Sequence, residues 1–148
     1  MKKQTSIAFT MLSLVVALAA TSVSAQSRHY FQVTIPFEFA ISGKTLPPGE
    51  YIVRRVSSDR PERLAISSAN GVTGQSVVTH NVRAGMLQAE SKLVFNRYGD
   101  HYFLSQIWEA GDNAGRELMK SREERQLERE LAKTPNGPEK VAIVRRRN

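Results

Sequence analysis

Arg54, Arg55, Arg60 and Arg63 gather around Ser58-Asp59, and a second basic group, Arg145, Arg146 and Arg147, lies at the C-terminal end. A guanidinium offers a planar fork of donors that matches a carboxylate or phosphate in bidentate fashion, so both groups are candidates for anion contact. Asp59 and Glu62 stand among the first group and are placed to neutralise it, which makes a solvated turn the simpler account of the same residues. Three terminal arginines would hold an anionic surface at about 1 kcal/mol each. Such attachment is weak and sensitive to salt.

Other chemistry finds little support. His29, His80 and His101 show no metal-ligand spacing and the chain has no cysteine. A zinc centre needs three or four protein ligands, so no metal and no cofactor are expected. Gly71-Val72-Thr73-Gly74 lacks the Lys-Ser/Thr ending of a phosphate loop. No Gly-x-Ser-x-Gly elbow is present, and Ser105 falls in the middle of a strand-like run. Glu38, Glu50, Asp59, Glu62, Asp100 and Glu109 lie in turns or beside alternating apolar residues, where carboxylates face water. A glycosidase would need two of them across a cleft. No catalytic residue is assigned, and the balance leans away from an enzyme.

The elements that would position these residues begin after residue 25. Lys2 and Lys3 precede a largely apolar stretch over residues 7–20, and Val23 and Ala25 occupy the small-residue positions of a signal-peptidase site. The stretch is shorter than the roughly 20 residues that span a bilayer. Residues 1–25 are therefore expected to be a signal peptide, with cleavage before Gln26 and no transmembrane span afterwards. The destination is the periplasm, the outer surface or the medium. The net charge is +7 and stays positive without Lys2 and Lys3. An exported basic protein meets acidic envelope surfaces or acidic polysaccharide first, and nucleic acid is not expected as a partner. Without cysteines there are no disulfides, so stability rests on packing.

Residues 26–133 are expected to form one β-rich domain. Residues 29–35 and 37–41 read as strands, with Phe37, Phe39 and Ile41 at period two. Residues 43–49, Gly-Lys-Thr-Leu-Pro-Pro-Gly, are turn chemistry. Strands follow over residues 50–56, around Leu64 and Ile66, and over 72–82, with a hairpin signal at Asn70-Gly71. Residues 84–90 are ambiguous between a loop and a bulged segment. Residues 92–98 and 101–108 form the clearest hairpin, closed by Gly99-Asp100. Unbroken alternation puts Leu93, Phe95, Tyr102, Leu104 and Trp108 on the core face, and Val94, Phe103 and Ile107 on the other. Residues 111–115 are a loop and 116–120 a short last strand. Ser121 and Glu124 have capping-box spacing, hydroxyl to the N3 amide and carboxylate back to the cap amide, for a helix over about residues 122–133. Its only apolar pair, Leu127 and Leu131, implies a helix lying on the surface. Residues 134–148 read as a flexible basic tail.

Two stretches carry a resemblance. One is Ile35-Pro36-Phe37-Glu38-Phe39, continued by Gly43-Lys44-Thr45-Leu46-Pro47-Pro48-Gly49-Glu50-Tyr51; the other is Lys92-Leu93-Val94-Phe95, Arg97-Tyr98-Gly99-Asp100, Tyr102-Phe103-Leu104-Ser105 and Ile107-Trp108. With the 121–129 region they resemble a group of small uncharacterised exported proteins of environmental bacteria, the acidobacteria above all. The resemblance covers about residues 33–131. It implies an exported β-rich domain with a C-terminal helix, and no activity, ligand or catalytic residue.

The fold expected is all-β, a small antiparallel β-sandwich or partly closed barrel of about seven or eight strands, with one C-terminal surface α-helix. The function expected is a non-catalytic envelope or secreted protein that binds or scaffolds. The alternatives are a hydrolase acting on cell-wall or polysaccharide material, and a subunit of an envelope assembly docked through the helix or the tail.

Overall fold

Alternation of apolar and polar residues along the chain becomes two packed β-layers in the computed structural model, which describes residues 30–133 and 137–145. The expected signal peptide lies outside the described residues, as do Arg146 and Arg147. In β1 (Tyr30–Ile35), Phe31, Val33 and Ile35 are buried while Gln32 and Thr34 are exposed. β4 (Gly49–Arg55) turns Tyr51 and Val53 inward, and β5 (Arg63–Ser68) does the same with Leu64 and Ile66. With the first half of β6 (Gly74–Arg83) these strands form an antiparallel layer in the order β1-β4-β5-β6.

β6 is long enough to serve both layers. Its second half pairs with β9 (Ala114–Leu118), which pairs with β8 (His101–Trp108). β8 pairs with β7 (Lys92–Tyr98), and β7 with β10 (Glu139–Val144). The short β2 (Phe39–Ile41) pairs with β3 (Lys44–Leu46) and meets β8 in the one parallel contact among the described strands, Ala40 opposite Phe103. β1 and β10 approach without pairing, so the sheet is not closed into a barrel. The fold is a small β-sandwich with one C-terminal helix. Phe31, Ile35, Phe39, Tyr51, Ile66, Leu93, Phe95 and Leu104 lie in the core between the layers. Phe37 stacks on Tyr102 at 3.9 Å, and the Arg97 guanidinium lies 5.5 Å from the same ring.

Ten strands are described, against the seven or eight expected. β3 lies inside the stretch read as a turn, because Ser42 and Gly43 close a tight hairpin with φ of 49° and 84°. Gly43 adopts that left-handed geometry without a Cβ penalty. β10 replaces part of the expected loose tail. Val141 and Ile143 alternate with exposed Lys140, Ala142 and Val144, and the free edge of β7 supplies the hydrogen-bonding partner. These six residues, two charged and four apolar, thus pair because tertiary context offers them an edge.

The 92–108 hairpin forms with the expected boundaries, and Tyr98 faces His101 and Phe95 faces Leu104. One residue later the register slips: Val94 faces Gln106, leaving Ser105 in a β-bulge. The slip reverses the alternation. Ile107 therefore joins the core and Trp108 turns to the outer face, the opposite of the unbroken pattern. Trp108 is still buried there, its indole pressed on the backbone of Gly115, where an added Cβ would fall 2.6–2.7 Å from the ring.

The helix α1 (Arg122–Leu131) begins as expected, with the Ser121 hydroxyl accepting from the Glu124 amide at 3.1 Å. The other half of the expected box is different. Glu124 is only 4% exposed, and its carboxylate turns into the sheet, accepting from Asn96 Nδ2 at 2.8 Å and from the Tyr98 hydroxyl at 3.3 Å. A buried carboxylate needs such donors, and Asn96 and Tyr98 of β7 supply them. Leu127 and Leu131 pack on Ala40, Tyr98 and Phe103, so the helix lies on the outer face of the sheet, as its narrow apolar stripe implies.

Candidate functional site

Strand alternation divides the first arginine group. Arg54 and Arg55 are consecutive in β4, so their side chains leave opposite faces. Arg55 follows the inward residues Tyr51 and Val53, and its guanidinium lies 3.7 Å from the Glu109 carboxylate. It is thereby withdrawn from the group. Arg54, Arg60 and Arg63 remain exposed on the outer side of the β4–β5 hairpin. Arg54 stands opposite Ala65, and Arg63 opposite Val78. Arg60 sits in the connecting turn, where its carbonyl accepts the Arg63 amide at 3.0 Å.

Neither Asp59 nor Glu62 forms an ion pair with these arginines. Glu62 precedes Arg63 by one residue and falls on the opposite side of the ribbon, its carbonyl accepting both the amide and the hydroxyl of Thr79. Asp59 is exposed in the turn, its amide 3.3 Å from the Ser57 hydroxyl. Among the described residues no acid makes an ion pair with Arg54, Arg60 or Arg63. Arg145 follows β10 at the edge of the other layer, its amide donating to the Ser91 carbonyl at 2.9 Å. It belongs to a separate element from the hairpin group.

The arginines have aliphatic neighbours that sequence spacing does not reveal. Val56 lies across from Arg63, its amide donating to the Arg63 carbonyl at 3.1 Å. Val78 flanks Arg63 on the other side. The β6–β9 pairing ends at Thr79–Leu118, so Val78 and Met119 are the next residues along the two segments beyond it. Val56, Val78 and Met119 are 52, 58 and 75% exposed. The outer face thus carries a row of Val56 just past β4, Arg63 at the start of β5, Val78 in mid-β6 and Met119 just past β9, with Arg54 and Arg60 next to it. A guanidinium group without acid partners can take a phosphate or carboxylate, and the exposed aliphatics can take apolar surface.

A second constellation also escapes sequence reading. On the outer face of β6, β9 and β8, His80 Nε2 lies 3.0 Å from Glu117 Oε2. Gln106 Nε2 donates to Glu117 Oε1 at 3.0 Å, and Trp108 Nε1 donates to Gln106 Oε1 at 3.1 Å. The Gln106 hydrogen bond, aided by His80 and opposed by partial burial, holds the Glu117 carboxyl below the usual carboxylate range. His80 and Glu117 are 37 residues apart, and only the β6–β9 register brings them together. The pair has the atoms of an acid–base couple. Its far side is spent on the Gln106 amide, itself held by the Trp108 indole, and among the described residues no hydroxyl or thiol shares a hydrogen bond with the pair.

The remaining features are structural. A shallow cleft of about 280 Å³ lies between the β3–β4 turn and the β5–β6 loop, lined by Pro47, Gly49, Tyr51, Ser68, Asn70 and Thr73 among others. Its polar atoms bind one another: the Tyr51 hydroxyl donates to the Pro47 carbonyl at 2.7 Å, and Ser68 Oγ to Asn70 Oδ1 at 2.6 Å. Burial and the neighbouring Glu124 charge push the Tyr98 hydroxyl well above its ordinary pKa, which keeps it a donor within the Asn96–Glu124–Tyr98 lock. Ser105 is buried at the bulge, and His101 is exposed beside the hairpin turn. No group of three or more His, Cys, Asp or Glu able to hold a metal occurs among the described residues. Comparison with family models, curated proteins and solved structures returns no match to this chain.

Proposed function

We propose that the chain is an exported, non-catalytic binding domain that docks on acidic envelope material through the outer face of the β4–β5 hairpin. The observation that carries this reading is the set of three exposed guanidiniums, Arg54, Arg60 and Arg63, with no acid paired to them among the described residues. The hairpin presenting them is backed by Tyr51, Val53, Leu64 and Ile66 in the core, so little side-chain-bearing backbone has to be ordered on contact. Export is the expectation from residues 1–25. The assembly alternative is less well supported, since α1 already spends Leu127 and Leu131 on its own sheet.

Salt-dependent capture on an acidic polysaccharide matrix tests the proposal. The Arg54→Gln/Arg60→Gln/Arg63→Gln variant should elute at clearly lower salt than the parent. Equal elution of the two proteins would remove the hairpin from the binding surface.

A further inference from the structure

The row of Val56, Arg63, Val78 and Met119 carries the docking reading one step further, to the class of partner. A soluble acidic polymer would satisfy Arg54, Arg60 and Arg63 but leave Val56, Val78 and Met119 in water. A bilayer interface takes both kinds of group, guanidiniums at the lipid phosphates and aliphatic side chains at the boundary between headgroups and acyl chains. From the interleaving of Val56, Arg63, Val78 and Met119 on one exposed sheet face, we propose that this face binds an anionic lipid surface. The proposal rests on the docking function above and names its partner.

The geometry suits a shallow, flat contact. Val56, Arg63 and Val78 sit on neighbouring strands with their side chains to the same side, and Met119 extends the row at the end of β9. Ala65, opposite Arg54 on the same face, is half-buried and adds no charge. Of the acids closest in the fold, Glu62 falls on the other side of the ribbon, and Glu117 is engaged by Gln106 and His80. Asp59 is the acid left at the turn beside Arg60. The face is therefore cationic at its edge and aliphatic along its row, the pairing that gives peripheral attachment to anionic membranes.

Vesicle co-sedimentation with the naturally processed protein tests it. The probes are phosphatidylcholine vesicles with and without phosphatidylglycerol, and soluble polygalacturonate. The parent protein should pellet with the anionic vesicles and stay free with phosphatidylcholine alone. Arg54→Gln/Arg63→Gln should weaken vesicle binding by about five-fold for each arginine removed. Val78→Thr/Met119→Ser keeps the charge and suits an exposed strand, and should also weaken vesicle binding several-fold while leaving polygalacturonate binding unchanged. Val56→Thr serves as an independent aliphatic variant, and thermal melts check that each variant folds. Binding to polygalacturonate without binding to anionic vesicles would overturn the lipid proposal and keep the docking reading. Vesicle binding indifferent to both aliphatic variants would overturn it too. Binding to neither probe would overturn both.

Discussion

Glu124 shows how one side chain fixes the place of an element. Its carboxylate is buried where water cannot compensate a lost partner, and Asn96 and Tyr98 supply the donors. Removing one donor leaves the charge under-satisfied, at a cost of about 1–3 kcal/mol. Asn96→Ala is therefore expected to destabilise the fold by that amount in urea denaturation, and Tyr98→Phe by less, since its bond is longer. Changes under about 0.5 kcal/mol for Asn96→Ala would mean that the lock contributes nothing. Glu117 yields a pH prediction. Its pKa in the fold is lowered, chiefly by the Gln106 hydrogen bond, so its contribution to stability is present above the unfolded carboxylate pKa of about 4.3. That contribution is lost as pH falls through the lower folded-state value. Glu117→Gln should flatten the acid limb of the stability–pH curve and change little in its shape above pH 6. An acid limb identical to the parent's would contradict the hydrogen-bonded assignment.

At the scale of elements, the Ser105 bulge decides which aromatic ring enters the core. By inserting one residue it lets Leu104 and Ile107 both point inward and sends Trp108 to Gly115. Gly115→Ala would drive a methyl into the indole, and overpacking of this kind costs about 1–3 kcal/mol. The expected outcome is a melting temperature lowered by several degrees; an unchanged melt would mean that Trp108 does not sit on Gly115. Much of the element layout was legible in the sequence. The hairpin over Lys92–Tyr98 and His101–Trp108 announced itself through alternation around Gly99-Asp100, and the helix through Ser121 and its leucine pair. The bulge was not legible, because no residue type marks the point where a register slips. Nor was β10: a short run of apolar residues between Glu139-Lys140 and the terminal arginines looks like a tail until a neighbouring edge is known. The Glu124 carboxylate followed the capping-box pattern in sequence, but the choice between cap amide and buried donors is made by the sheet beneath it.

For the molecule as a whole, the sandwich turns a scattered arginine count into a surface. Alternation removes Arg55 to Glu109 and Glu62 to the far side, while the β4–β5–β6 register lines Val56, Arg63 and Val78 together. The candidate arginines were visible in the sequence. Which of them act together, and which aliphatic neighbours they have, depends on cross-strand register and was not. Charge alone would make attachment fall steeply with ionic strength, since exposed interactions are screened over about 8–10 Å at physiological salt. On the proposed reading, the aliphatic row would add a part that salt does not weaken. The most direct measurement is a salt titration of binding to anionic vesicles for the parent, the three-arginine variant and the Val78→Thr/Met119→Ser variant. The account predicts a shallower salt dependence when the arginines are neutralised. It predicts an unchanged slope, at lower affinity, when the aliphatics are removed. Three superimposable curves would contradict it.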